Sequence, residues 1–448
     1  MKKLTMGKMW LFAIGQFGWS LLSGLIGSWL VYFYQPNEEA IAAGQTVFIP
    51  QGLVILGIVT IIGAITALGR VFDAVTDPWI ASLSDRCKSK NGRRIPFLKW
   101  ASLPLAVSTV LVFWAPLNRT SWLNAFWLLI FVLIYYLSIT AYCTPFNALI
   151  PELGHTQEER LNISTIISVT FFLGTAGAYM APTIWGMFSD SMGRVAAIRL
   201  TFTIMAVIAF VCMLFPVFAI KEKEYVIAKP VEGSAFSSLS KTFQNKDFRI
   251  FVGSDILYWI ALTMFQTGLS YFVTSLMGLE ESMSSIYFIV MSVLSLLFYV
   301  PVNLVSRKIG KKKLVLFAFG MFSLAYLYTV FLGDALPVSP VVQGYILVAL
   351  AALPMAIFGI LPQAMVADIS ESDAKLTGEN REGMFYAART FAFKMGQSIS
   401  MLIFTAVATI GAADGTGYRL VAAIACIFCL LGGTVLFFYN EKHVNGVC

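Results

Sequence analysis

Apolar runs of about twenty residues recur from one end of this chain to the other, and that pattern limits the folds open to it. A run of that length crosses a bilayer as a helix, because hydrocarbon offers no partner to backbone N–H and C=O groups and a helix satisfies its own. The runs are continuous rather than alternating, which argues against a β-barrel. Composition agrees: 58% of the 448 residues are hydrophobic, 12% are charged, and the mean hydropathy is +0.78. A soluble domain is nearer half apolar and a quarter charged. The opening MKKLTMGKMW is basic, but the run from Trp10 to Tyr34 is too long for a signal-peptide core and ends in no small-residue cleavage site.

The reading is therefore an all-α membrane protein of twelve transmembrane helices. The first six fall near 10–34, 52–84, 95–115, 122–149, 162–189 and 197–220. After a polar segment, 221–248, six more fall near 249–277, 282–306, 312–332, 340–367, 385–411 and 417–440. Two six-helix bundles, 1–220 and 249–448, are thus joined by a linker, 221–248. With the N-terminus placed inside, the outer segments carry only Arg119, Arg194, Arg199 and Arg419 among the basic residues, which puts both termini in the cytoplasm. The net charge of +7 then reflects inner-loop Lys and Arg, not nucleic-acid binding. The halves echo each other: SDRCKSKNGRRIPF follows the second helix and SRKIGKKKLVLF follows the eighth. Two such halves joined by an inner loop is the layout of major facilitator transporters.

One stretch breaks the apolar rule. GRVFDAVTDPWIASLSDRCKSKNGRRIPF, from Gly69 to Phe97, carries Arg70, Asp73 and Asp77 within a spanning segment. Each buried charge costs about 2.5–3.5 kcal/mol on insertion scales and ordinarily marks an ion or solute path. Polar residues also recur at helical spacing elsewhere: Gln16, Ser20 and Ser23; Thr66, Arg70, Asp73 and Asp77; Tyr136, Thr140, Cys143 and Asn147; Tyr386, Thr390, Lys394 and Gln397. Residues so spaced share one helix face, which turns away from lipid. A single hydroxyl in such a stripe ordinarily glues helix to helix. Asp73, Asp77 and Lys394 together ask for more.

Asp73 and Asp77 lie one turn apart, close enough to meet one cation, with Thr76 or Thr140 hydroxyls as further oxygens. Pro78 lacks an N–H and frees the carbonyl of Ala74. Arg70 can neutralise Asp73, which leaves Asp77 for Lys394 when no cation is bound. A proton competes with Na⁺ as the coupling ion, since two near carboxylates in a low dielectric favour protonation of one. No G-x-x-x-x-G-K-[ST] stretch is present, which argues against ATP drive. His155 and His443 read as surface residues. Cys426 and Cys429 have CxxC spacing but sit in an apolar run with no partner histidine, and read as small hydrophobes.

Three segments resemble the glycoside–pentoside–hexuronide:cation symporters, the melibiose permease group of the major facilitator superfamily. They are GRVFDAVTDP with GRRIPF, the run Thr144 to Leu153 (TPFNALIPEL), and ADISESDAKLTGENREGMFYAARTFAFKMGQ from Ala367 to Gln397. The resemblance implies Asp73, Asp77, Thr76, Thr140 and Lys394 as the cation site. It places the solute near Trp19, Ser20, Cys143, Asn147, Thr390, Lys394 and Gln397. Several solute positions depart from the melibiose type: Ser20 and Cys143 stand where that group has acids, Asn147 where it has tryptophan, and Gly359 where it has an aromatic residue.

On these grounds the chain is expected to be a secondary symporter, not an enzyme. It would couple Na⁺ or H⁺ entry to sugar or glycoside uptake by alternating access, with no other cofactor. Asp85, Arg93, Arg94, Glu152 and Arg381 are expected to form cytoplasmic gate pairs. The expected setting is a bacterial plasma membrane, with the monomer as the acting unit. Two alternatives remain: import of an amphipathic solute such as a lysolipid, and a non-transporting sensor on the same fold.

Overall fold

The computed structural model describes residues 4–154, 156–225, 242–378, 382–411 and 413–444. Twelve long helices account for most of them. In the first half these are α1 (Met6–Tyr34), α2 (Ile61–Arg86), α3 (Ile95–Val112), α4 (Trp122–Leu153), α5 (Gln157–Tyr179, continuing as Ala181–Met192) and α6 (Arg194–Ala219). In the second half they are α7 (Lys246–Tyr271, ending in a π turn, Phe272–Leu276), α8 (Ser282–Ile309), α9 (Lys311–Val330), α10 (Pro340–Thr377), α11 (Glu382–Val407) and α12 (Thr416–Phe437). Among the described residues there is no β-strand. Eleven of the twelve are long and apolar enough to cross a membrane. The exception is α2, whose Arg70, Asp73 and Asp77 interrupt it; its 26 residues still reach about 39 Å at 1.5 Å per residue.

The second helix begins at Ile61, nine residues later than the sequence pattern indicates. Gly52 and Gly57 take positive φ, and turns occupy the stretch between. The apolar composition of Leu53 to Ile58 imitates a helix end, but those side chains are largely exposed. The central linker forms a short helix at Glu222–Tyr225, and its residues 226–241 lie outside the described ones. His155, Arg381 and Cys448 lie outside them too.

The chain divides into two compact units. One holds α1 with Ala64–Glu232, and the other holds Ile58–Gly63 with α7 to α12. In the first, α1 packs on α5 and α6, and α3 packs on α4 and α6. In the second, α7 packs on α11 and α12, and α9 packs on α10 and α12. The same pairing, first helix to fifth and sixth and third to fourth and sixth, is thus used twice.

Association within lipid gains little from apolar burial, so small residues and polar side chains hold the helices together. In the first unit a Cβ on Gly18 would lie 2.5 Å from the Ala209 carbonyl, and one on Gly174 would overlap Ser20 Oγ. Trp29 Nε1 donates to the Ala178 carbonyl at 2.8 Å, and Tyr142 Oη to that of Met213 at 2.9 Å. In the second unit Ser254 Oγ donates to the Gly432 carbonyl at 2.9 Å, and Ser400 Oγ to that of Ile260 at 3.0 Å. Cys426 Sγ donates to the Ser323 carbonyl at 3.4 Å, so it too serves helix packing.

Candidate functional site

On α2 an exposed apolar row, Leu68, Val71, Val75 and Trp79, recurs at spacings of three and four. At 100° per residue the acids lie on the far side of the helix from that row. Asp73 is 4% exposed and Asp77 is half-buried. Both face α4. Thr140 Oγ1 donates to Asp73 Oδ1 at 2.6 Å, and Thr144 Oγ1 donates to Asp77 Oδ1 at 3.4 Å. Both pairs are 67 residues apart in sequence, so α2 and α4 run parallel and in register. Gly69 and Tyr136 share that offset one turn earlier: a Cβ on Gly69 would lie 2.5 Å from the Tyr136 ring. Arg70 lies over the same ring, 5.3 Å from its centroid, where a cation is attracted to the π face.

Of the cation residues expected from sequence, Asp73, Asp77 and Thr140 come together. Thr76 lies between the acids on α2, and its hydroxyl donates to the carbonyls of Phe72 and Asp73 in its own helix, at 2.9 and 3.1 Å, which leaves its lone pairs to accept. Lys394 is half-buried midway along α11 in the second unit. Thr144 was not among the candidates. Its signal was present, because it stands four residues after Thr140, as Asp77 stands four after Asp73.

The solute candidates are scattered. Ser20 is 1% exposed, donates to the Phe17 carbonyl at 3.1 Å and is pressed against Gly174, so it belongs to the α1–α5 seam. Trp19 is half-buried, with its ring centroid 5.9 Å from that of Phe171 and its indole N–H unpartnered. Cys143 is half-buried and Asn147 exposed on α4. On α11, Thr390 is half-buried, and Gln397 is buried with an unpartnered Oε1.

A stripe on α7 escaped the sequence reading: Asp255, Trp259, Thr263 and Thr267, each four residues beyond the last. Arg389 grips Asp255 with two bonds, Nε to Oδ2 at 2.8 Å and Nη2 to Oδ1 at 3.0 Å, both side chains almost fully buried. One turn on, the Trp259 and Phe393 rings stack with centroids 4.5 Å apart. A further turn on, Thr263 and Gln397 occupy the matching positions, each with an unpartnered oxygen. The spacing of four was the available signal. Asp255 and Arg389 each looked isolated in sequence, and only their pairing across 134 residues makes sense of them.

Each unit closes its basic turn in the same way. The Glu222 carboxylate accepts the backbone N–H groups of Arg93 (2.9 Å), Arg94 (2.8 Å) and Ile95 (3.0 Å), capping the N-terminus of α3. Glu441 does this for α9, accepting from Lys311 N–H at 2.6 Å and Lys312 N–H at 3.3 Å. The turn glycines, Gly92 (φ 108°) and Gly310 (φ 92°), combine a left-handed backbone with the absence of a Cβ. A Cβ would overlap Glu222 Oε2 in one and lie 2.7 Å from Glu441 Oε2 in the other.

The side chains of the turns then pair with carboxylates near the end of the fourth helix of each half. Arg93 and Arg94 reach Glu152 at 2.6 and 3.2 Å; Arg94 also pairs with Asp85 and donates to Ser84 Oγ at 2.6 Å. Lys311 reaches Asp368 at 2.5 Å. Tyr439 lies amid this second set. Burial first, then Asp368, Glu441 and Asp247, push its phenol far above the ordinary range. Asp85, Arg93, Arg94 and Glu152 are thus one cluster within one unit.

A membrane chain whose described residues form helices and no strand, whose two halves repeat their packing, and which carries a buried and a half-buried acid on a helix face turned from the exposed surface has the architecture of a transporter of the major facilitator class. The solved nucleoside transporter NupG shares the fold, with a TM-score of 0.67 at 13% identity over 98% of this chain and 100% of that one. The family described as MFS/sugar transport protein matches residues 11–441, and the chain belongs to it, among the glycoside–pentoside–hexuronide:cation symporters. It is a multi-pass membrane transporter and not an enzyme. Among similar proteins, the isoprimeverose transporter of Lactiplantibacillus pentosus is 23% identical over 87% of this chain and 77% of its own. The glucuronide carrier protein homolog of Escherichia coli is 24% identical over 84% and 83%. The sodium-dependent lysophosphatidylcholine symporter 1 of Xenopus tropicalis is 22% identical over 75% and 70%.

Proposed function

We propose that this protein couples the entry of Na⁺ or a proton to uptake of a sugar or glycoside by alternating access of its two six-helix halves. The observation that supports this most is the pair of acids on α2, each facing a threonine hydroxyl of α4 in the same register. Two carboxylates held one turn apart in a low dielectric repel each other, and a small cation between them relieves that cost. The relief is the source of coupling: a solute that binds the cation-loaded form better is held more tightly by about 1–3 kcal/mol, and it returns the favour to the cation. Lys394, the amine expected to exchange with the cation, belongs to the same proposal. So do a cytoplasmic placement of both termini in a bacterial plasma membrane, action as a monomer, and a gating role for the Arg93–Arg94–Asp85–Glu152 cluster. The experiment is ion-dependent uptake by Asp77→Asn in vesicles. We expect the cation dependence to vanish while the protein still inserts; full retained dependence removes the site assignment.

An amphipathic solute is the second reading, favoured by Ser20. At that position on α1 the hydroxyl is buried in a helix seam and spent on the Phe17 carbonyl, so it offers nothing to a sugar hydroxyl. The lysophosphatidylcholine symporter among the relatives points the same way. Thermal stabilisation of the purified protein by glycosides, glucuronides and lysophospholipids, with and without Na⁺ at two pH values, separates the readings.

A further inference from the structure

We propose that Thr144 completes the coordination of the cation at Asp77, and that it sets a preference for Na⁺ over a proton. The inference rests on the cation site proposed above and goes beyond it in naming the residue that makes the site selective.

The α2–α4 register is the foundation. At the constant offset of 67 residues, Asp73 faces Thr140 and Asp77 faces Thr144. Pro78 and Pro145 fall at the same offset. Each lacks an N–H, so the carbonyl of Ala74 on α2 and that of Ala141 on α4 lose their usual intrahelical donor. The seam therefore gathers two carboxylates, two threonine hydroxyls and two carbonyls without their helical bond, on matching turns.

A threonine hydroxyl has one proton to donate and two lone pairs to offer. Here Thr144 gives its proton to Asp77 at 3.4 Å, longer than the 2.6 Å of Thr140 to Asp73. A long bond is the more easily released. When the hydroxyl turns from Asp77, its proton has an acceptor ready on its own helix: the Ala141 carbonyl three residues back, within the reach of threonine back-bonding. The oxygen then points lone pairs toward the place a cation takes between the acids. Thr76, on α2 between the acids, already has its proton placed in this way. Its proton is held by the carbonyls of Phe72 and Asp73 at 2.9 and 3.1 Å.

The chemistry of the two ions separates the consequences. A hard cation stripped of water needs several oxygens, and each missing ligand weakens it. A proton needs only the carboxylate it binds. Removing the Thr144 oxygen should therefore weaken Na⁺ and leave protonation of the acids nearly untouched.

The test uses purified full-length protein, with NaCl titrated against choline chloride and thermal stabilisation as the readout, so that no solute need be known. Thr144→Val keeps the side-chain shape. It should raise the half-effective Na⁺ concentration roughly tenfold or more, the scale of one lost contact to a charged group. Thr144→Ser should stay within about threefold of the parent, small on that scale. Should Thr144→Val fold poorly, Thr144→Ala against Thr144→Ser gives the same comparison. If Asp77→Asn abolishes Na⁺ stabilisation while Thr144→Val and Thr144→Ala leave it unchanged, this proposal is overturned and the cation site stands. If Asp77→Asn is itself without effect, both fall.

Discussion

Glu222 occupies the space that a Cβ on Gly92 would need, its Oε2 overlapping that point. The turn and the carboxylate are fitted to each other. The consequence is measurable from either side: Gly92→Ala must displace the carboxylate, and Glu222→Ala strips three backbone N–H groups of their acceptor. Glu222 is 3% exposed, so water does not readily replace it. We expect Glu222→Ala to cost on the order of 1–3 kcal/mol, with Glu222→Gln recovering part of it. Glu441→Ala should do the same to the other unit. Thermal unfolding checks this, and an unchanged midpoint in both variants would remove the capping role.

The Asp255–Arg389 pair carries a second expectation. Removing one partner of a buried ion pair leaves the other charge uncompensated, at a cost of about 3–5 kcal/mol. Asp255→Leu and Arg389→Met should each lose most folded protein. The double variant should recover much of it, since an apolar pair of similar size needs no compensation. Recovery is read from the yield of monodisperse protein. Equal loss in the double variant would mean that the pair does more than neutralise itself.

Gly69 controls the register of the acids. A Cβ there meets the Tyr136 ring at 2.5 Å, and that ring also carries Arg70. Gly69→Leu should push α2 from α4 and lengthen both threonine–aspartate contacts. The expected result is lost Na⁺ stabilisation with membrane insertion intact. Normal Na⁺ binding in this variant would show that the seam is not what holds the acids.

The basic-turn cluster predicts a rescue. Glu152→Arg alone should abolish uptake by setting a third cation beside Arg93 and Arg94, and adding Arg93→Glu should restore part of it. Failure of the double variant while it inserts normally would count against a gate at this place.

A smaller effect arises at Asp414, in the turn before α12. The hydroxyl of Thr416 and then its backbone N–H hold this carboxyl below the ordinary range. A depressed acid stabilises the fold above its unfolded value and loses that contribution as pH falls through the folded one. Asp414→Asn should flatten the acid side of the stability curve slightly, read as thermal midpoint against pH. The group is fully exposed, and a large change would contradict its place on the surface.

The helix count and the polar face of α2 could be read from the sequence, because hydrocarbon imposes length and sidedness on every spanning segment. The start of α2 could not: residues 53–58 are as apolar as a helix end, and the glycines that turn the backbone there do not announce their φ. Thr76 reads as a ligand because it lies between the acids, and the structure adds that its proton goes to the carbonyls of Phe72 and Asp73. Sequence spacing does not show where a hydroxyl spends its proton. Thr144 and the α7 stripe had the right periodicity but drew attention only once a partner helix was in view. The paired caps were hidden most deeply, since nothing local links Glu222 to a turn 127 residues before it.

That separation also gives each cap a place in time. Ribosomes add about 5–20 residues per second, so the start of α3 leaves the tunnel many seconds before Glu222 does. Through that interval its leading amides have no carboxylate to hold them. The start of α9 waits just as long for Glu441, 130 residues further on. Each half is therefore fastened by a glutamate that follows its sixth long helix, and a nascent chain interrupted short of either glutamate leaves that half unlatched at its basic end.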